Sequence, residues 1–217
     1  MIIDLNLQSK KIIIVGGGNE AQKRINSLLK QECDITIIAD SINTQINKLA
    51  KTKKIKVIKQ KITDTKFISK LKPNLIITTT NDKKVNQKII NAAKKKGIMV
   101  YSSDNPEDSD FSNPAIIDFE NMVQVAIFTG GKSPAMSKKI KEKSEKALKK
   151  IITKEDIGQI KIQKIARKWS KEIIATQEQR RECLRSIMSD NEIDQLIKDG
   201  QVKKAEKRAI TILRNWK

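Results

Sequence analysis

Along the first hundred residues, short apolar runs alternate with amphipathic stretches. Lys11–Val15 is a β-branched run that breaks into Gly16-Gly17-Gly18, and the polar segment from Asn19 to Lys30 then carries Ala21, Ile25, Leu28 and Leu29 at helical spacing. This reads as strand, glycine turn, helix. Ile35–Ala39 predicts a second strand ending in Asp40; a helix with Ile42, Ile46, Leu49 and Ala50 on one face comes next, then a short strand at Val57–Ile58. Leu75–Thr79 predicts a buried strand behind the Pro73-Asn74 turn, Asn81-Asp82 opens a helix ending at Gly97, and Ile98–Tyr101 is one more strand. Strands alternating with helices in this way specify an α/β fold, a doubly wound parallel sheet with helices on both faces, over residues 1–112.

After Ser112 the rhythm changes. Ala115–Ile117 and Val123–Phe128 read as two strands with no helix between them, an antiparallel hairpin, and an amphipathic helix follows with Ser133 as N-cap and Pro134 at its first position. From Lys154 the pattern is helical to the end, with Gly200 separating the last two helices. The expected organisation is a sheet domain over 1–112, a strand-helix segment over 113–153 and a helical domain over 154–217.

The candidate chemistry lies at strand ends. Gly16-Gly17-Gly18-Asn19-Glu20-Ala21 fits G-x-G-x-x-A between a strand and a helix, with Asp40 placed 22 positions beyond Gly18. In such a turn Gly16 makes the bend, Gly18 lets the backbone approach a pyrophosphate at the helix N-terminus, and Asp40 accepts from a ribose 2′-hydroxyl while repelling a 2′-phosphate. Dinucleotide binding with NAD preferred follows. Thr78-Thr79-Thr80 ends a strand at the edge where ligands bind in these folds, and its hydroxyls can line the cofactor cleft. Tyr101-Ser102-Ser103-Asp104-Asn105-Pro106 brings a carboxylate to the same edge; an Asx turn before Pro106 is the competing reading. Farther on, Thr129-Gly130-Gly131-Lys132 joins a strand to a helix N-terminus and combines exposed backbone N–H groups, a lysine and the helix dipole in an anion cradle, or else forms a plain glycine turn with a cap.

Composition narrows the chemistry. Histidine is absent from all 217 residues, which excludes a histidine base and a histidine-ligated zinc, so no metal site is expected and Asp104 leads as acid–base group. Cys33 and Cys183 offer no disulfide scaffold and fit a reducing compartment. The N-terminus lacks the pattern of a secretory signal and no apolar run approaches a membrane span, so a cytoplasmic protein without membrane partners is expected. The formal charge of +20 divides evenly, +10 on residues 1–112 and +10 on residues 113–217, and favours anionic partners. A lysine-biased composition decorating solvated faces accounts for much of it. With aromatics at 3%, stacking platforms for nucleic acid are scarce.

Taken in order and at matching separations, VGGGNEAQKR, TTTNDKKVNQ, SSDNPEDSDFSNPAII and VAIFTGGKSPAMSKKI resemble the precorrin-2 dehydrogenase module of siroheme synthases, closely over about residues 1–150. The resemblance implies a Rossmann domain, a dimerisation segment at 113–153 and a small helical domain, assembled as a homodimer. It implies NAD-dependent oxidation of precorrin-2, a tetrapyrrole with eight carboxylate arms, to sirohydrochlorin, and in some members insertion of Fe²⁺ as a second substrate. The family's cofactor contacts fall on Asn19, Glu20, Asp40 and Ser41, with Gly16, Gly18 and Thr80 in the same cleft. Its acid–base aspartate falls on Asp104. Substrate contacts are expected at Thr129, Gly130, Gly131 and Lys132, with Thr129 standing where some members carry a phosphorylated serine. Glu20, Lys23-Arg24 and Phe128 depart from the family pattern.

Two other classes remain open on the residues. A nucleotide-sensing regulatory module without catalysis shares the glycine turn and Asp40 but leaves Asp104-Asn105-Pro106 and the Thr129–Pro134 turn unexplained. A nucleic-acid-binding protein would use the basic tail with Trp169, Arg180, Arg181 and Arg185 on phosphates, at a salt-dependent affinity.

Overall fold

The computed structural model describes residues 2–216, and the chain divides between Asn113 and Pro114 into two compact units. In the first, β1 (Lys11–Val15), β2 (Asp34–Ala39), β3 (Lys56–Lys59), β4 (Leu75–Thr78) and β5 (Met99–Ser102) form one parallel sheet in the order β3-β2-β1-β4-β5. Helices α1 (Asn19–Leu28), α2 (Thr44–Lys51), α3 (Lys66–Leu71) and α4 (Lys83–Lys94) supply the crossovers. The side-chain alternation of β1 explains the layers. Ile12 and Ile14 pack with Ala21 and Ile25 of α1 and Ile46 of α2, whereas Ile13 and Val15 pack with Ile68 of α3 and Ile89, Ile90 and Ala93 of α4. Both faces of the sheet are thereby covered, which is the doubly wound Rossmann arrangement.

The helix α3 was absent from the predicted elements. Its single apolar turn, Phe67, Ile68 and Leu71 among lysines, is too short to show periodicity, and Ile68 earns its place by complete burial under the sheet. Register aligns Val15 with Ile38 and with Thr78, and Thr78 with Ser102, so the carboxyl ends of β1, β2, β4 and β5 share one edge.

The second unit opens with the antiparallel pair β6 (Ala115–Phe119) and β7 (Val123–Ile127), in register from Ala115↔Ile127 to Phe119↔Val123. Glu120 and Asn121 turn the hairpin at φ of 52° and 56°, with the Met122 N–H donating to the Phe119 carbonyl, a primed turn whose twist matches the strands. Ser133 caps α5 (Pro134–Ile151) by accepting from the Met136 N–H at 3.2 Å, with Pro134 in the first turn. A capping box between Thr153 and Asp156 starts α6 (Lys154–Ile173). Helices α7 (Gln177–Met188), α8 (Asn191–Lys198) and α9 (Val202–Arg214) complete a bundle whose core holds Ile162, Ala166, Cys183, Ile187, Ile193, Ala205, Ala209 and Leu213. Asp190 caps α8 through the Ile193 N–H at 2.8 Å and accepts from the Arg208 guanidinium of α9 at 3.1 Å, tying the last two helices together. Among the described residues no helix is long and apolar enough to cross a membrane.

Candidate active site

The carboxyl edge of the sheet opens into a cleft of about 630 Å³, lined by Gly16, Gly17, Gly18, Asp40, Ser41, Thr79, Thr80 and neighbouring residues. Its floor is laced backbone to backbone. The Gly16 N–H donates to the Ile38 carbonyl at 3.0 Å, the Asn43 N–H to the Gly17 carbonyl at 2.9 Å, and the Thr79 N–H to the Val15 carbonyl at 2.8 Å. Three loops from three strands are held together in this way.

The glycines divide the work differently from the motif's usual description. Gly16 bends the chain at φ +118°, and a side chain there would strike the Thr79 hydroxyl. Gly17, which the motif leaves free, is the tightest of the three: a Cβ would lie 2.0 Å from the Ser41 carbonyl oxygen. Gly18 faces open space and stands at the N-cap of α1 with no side-chain cap. The first-turn N–H groups of α1 are therefore left for a ligand, in the place where a helix dipole favours a phosphate. A cradle that only glycine fits, an uncapped helix end and a cleft of nucleotide size suit a dinucleotide.

Of the other expected contacts, Asp40 is exposed and accepts from the Ser41 N–H at 2.8 Å, and both residues line the cleft. Lys61 lines the same cleft. Asn19 and Glu20 start α1 beside it without lining it. Asn19 accepts from the Asn43 amide at 3.4 Å, and Glu20 is paired with Arg24 and, at 3.2 Å, with Lys23. Partial burial works to raise the Glu20 carboxyl; hydrogen bonds and charge from Lys23 and Arg24 outweigh it and hold the group below the usual carboxylate range. The Arg24 guanidinium also covers the Tyr101 ring at 4.6 Å, so the unusual Glu20 and the reversed Lys23-Arg24 pair serve one local network.

Asp104, just past β5, is exposed at the same edge. Its Oδ1 accepts from the Ser102 hydroxyl at 2.8 Å and from the Asn86 amide of α4 at 3.1 Å. Asn86 is buried, donates also to the Thr80 carbonyl at 2.9 Å, and accepts from the Thr80 hydroxyl at 2.6 Å. One buried asparagine thus connects a cleft-lining threonine to the candidate acid–base group. Neither Asn86 nor Asn43, which caps α2 and reaches Gln22 at 2.8 Å, was singled out from the sequence, where both look like ordinary solvated polar positions. Thr129, Gly130, Gly131 and Lys132 belong to the second unit. Gly130 and Gly131 take φ of 66° and 76°, and the Thr129 hydroxyl lies 3.2 Å from the Ser133 N–H and 3.0 Å from the Ser137 hydroxyl. Lys132 is exposed. Among the described residues no cluster of three or more potential metal ligands occurs.

A sheet with this strand order and a glycine cradle at its carboxyl edge defines a dinucleotide-binding protein. The profile of an NAD(P)-binding family, NAD_binding_7, matches residues 3–115, and the chain belongs to that family. Among curated proteins it is similar to the siroheme synthase of Psychromonas ingrahamii, 32% identical over 92% of this chain and 40% of that protein. It also resembles the siroheme synthase of Methylococcus capsulatus, 36% identical over 66% of this chain and 29% of that protein. The chain spans less than half the length of these relatives. Its fold is similar to that of SirC, a precorrin-2 dehydrogenase, with a TM-score of 0.71 at 22% identity, covering 97% of this chain and 99% of the other.

Proposed function

We propose that this chain is an NAD-dependent precorrin-2 dehydrogenase acting in siroheme biosynthesis. The observation that carries the reading is the exposed Asp104 carboxylate, tethered through Asn86 to the Thr80 end of a glycine-lined nucleotide cleft. The siroheme synthase relatives and the SirC fold support the same substrate.

Dehydrogenation of precorrin-2 to sirohydrochlorin removes two hydrogens. A bound NAD⁺ would supply the acceptor for one of them, taken with its electron pair as hydride. The other leaves as a proton, and Asp104 receives it, its carboxylate kept in a fixed orientation by the Ser102 hydroxyl and the Asn86 amide. Gly16, Gly18 and the first turn of α1, through the backbone N–H groups of Asn19 and Glu20, would hold the pyrophosphate; Asp40 and Ser41 would meet the ribose, and Thr80 would line the same cleft. Asp40 sets the preference for NAD⁺ over NADP⁺. Thr129, Gly130, Gly131 and Lys132 take carboxylate arms of the macrocycle, Thr129 through its hydroxyl and Lys132 through its charge. The fit rests on charge and geometry, with orientation as the protein's main contribution.

The same reading makes residues 113–153 the dimerisation segment of a cytoplasmic homodimer, with 1–112 as cofactor domain and 154–217 as helical domain. Fe²⁺ insertion into the product is the finer extension, in which the iron would displace two pyrrole protons, one taken up by Asp104 and the other by water. An anaerobic assay with purified protein, precorrin-2 and NAD⁺, followed by absorbance of sirohydrochlorin and NADH, tests the reading. Repetition with Fe²⁺ tests the extension. Cofactor binding with no oxidation of precorrin-2 would leave a nucleotide-sensing module instead.

A further inference from the structure

Seven arginines occur in the chain, Arg24, Arg167, Arg180, Arg181, Arg185, Arg208 and Arg214, against a lysine-dominated total of 45 basic residues. Four of the seven, Arg167, Arg180, Arg181 and Arg185, line one groove of about 630 Å³ between α6 and α7, joined there by Lys171. A lysine-biased composition explains scattered lysines; it does not explain arginines gathered in one place. Arg24 and Arg208 have carboxylate partners. The five cations of the groove make no ion pair among the described residues, and no acidic side chain lines it. Arg180 is half-buried, its guanidinium donating to the Ile174 carbonyl at 3.2 Å, while Arg167, Lys171, Arg181 and Arg185 are exposed.

Helical spacing produces the convergence. On α6, Arg167 and Lys171 stand one turn apart; on α7, Arg181, Leu184, Arg185 and Met188 share one face, with Glu178 and Glu182 outside the groove lining. Leu184 and the half-exposed Met188 give the groove apolar surface among the guanidinium groups. Gathering like charges without counter-ions opposes the compact fold, and the arrangement gains a purpose when a ligand supplies the anions. Guanidinium groups match carboxylates bidentately, which a solvated lysine does not. The groove contains no aromatic lining on which a nucleic-acid base could stack. Its volume is that of a pocket for one organic ligand.

We propose that the α6–α7 groove binds a polycarboxylate macrocycle, with its arginine rim taking carboxylate arms and Leu184 and Met188 meeting the apolar ring. The proposal rests on the tetrapyrrole reading above and adds a recognition surface in the helical unit to it. Uroporphyrin, a stable and fluorescent octacarboxylate, is the probe, titrated into the full-length protein. The variant R167Q/R181Q/R185Q removes three exposed charges, and K139Q/K143Q/K150Q removes three exposed charges from α5 as a matched control. The groove variant should bind uroporphyrin at least tenfold more weakly, the control within about twofold of the unaltered protein, and a dicarboxylate porphyrin should bind poorly to all three. Equal loss in both variants would reduce the effect to general charge and overturn the proposal, as would unchanged affinity in the groove variant. Tighter groove-dependent binding of a single-stranded RNA than of uroporphyrin would overturn it in favour of nucleic acid. Precorrin-2 oxidation by the unaltered protein is scored separately. Groove-dependent uroporphyrin binding without oxidation refutes the catalytic reading alone, and oxidation with groove-independent binding refutes this proposal alone.

Discussion

Asp104 is held by donors from two elements, Ser102 at the end of β5 and Asn86 within α4, so its aim does not depend on one flexible loop. Asp104→Asn keeps the shape and removes the basicity. Turnover should fall on the order of 100-fold with NAD⁺ affinity little changed, as expected for loss of a positioned base; near-normal precorrin-2 oxidation by that variant would pass the proton to water. Asp40 poses a question of specificity, because Lys61 lines the same cleft and is available to a 2′-phosphate once the carboxylate is gone. Asp40→Ser should therefore shift the NADP⁺ to NAD⁺ ratio of kcat/KM upward by about tenfold or more, because the like charge that opposes a 2′-phosphate is removed. An unchanged ratio would remove the role from Asp40. Gly17→Ala introduces a methyl group 2.0 Å from the Ser41 carbonyl and must push apart loops that are joined by the Asn43 to Gly17 hydrogen bond. It should destabilise the protein by about 1–3 kcal/mol and weaken NAD⁺ binding together, read by thermal melting and calorimetric titration. An unshifted melting temperature would mean that the loop yields freely.

Among the elements, the joint between α8 and α9 has a pH dependence that can be read from Asp190. Burial works to raise this carboxyl, but the Ile193 N–H and the Arg208 guanidinium outweigh it and lower the group from its ordinary value of 3.8. A depressed folded-state value stabilises the protein above the ordinary value, and the contribution disappears as the pH falls below about 4 through the folded one. Asp190→Asn preserves an N-cap while abolishing the titration, so the stability curve should flatten below pH 4 relative to the unaltered protein. Asp190→Ala should lose about 1 kcal/mol across the neutral range. Parallel acid limbs for Asp190→Asn and the unaltered protein would discount the linkage.

Most of these elements were legible in sequence because the strands are continuous branched runs and the helices carry long apolar stripes. The glycine turn, Asp40 and Asp104 were legible as punctuation at strand ends. Features made by packing and by chain length were not. The turn of α3 is shorter than the period that would betray it; Asn86 is buried by packing that an amphipathic pattern does not encode; and the arginines of α6 and α7 converge only after two helices fold against each other.

For the whole molecule, the strand-helix segment poses a problem of burial. Phe128 is 47% exposed, Met136 45% and Ile151 69%, on or beside a two-stranded sheet and a single helix that have little of their own to cover them. Homodimerisation through this segment is the proposed remedy. Sedimentation should accordingly yield a species of twice 24.6 kDa at micromolar concentration, and Phe128→Glu with Ile151→Glu should shift it toward the monomer. A single 24.6 kDa species at every concentration would contradict the assembly.

β1 occupies the middle of its sheet, flanked by β2 on one side and β4 on the other, yet it is the first of these strands in the sequence. On the ribosome it must wait about 60 residues for β4, roughly 3–12 s at ordinary elongation rates. Throughout that interval Ile12, Ile13, Ile14 and Val15 form an apolar strand with an unpaired edge, the kind of segment that joins foreign strands when left alone. The strand that delivers the glycine cradle is also where a nascent-chain chaperone would bind, and its need for one ends when Thr78 comes into register beside Val15.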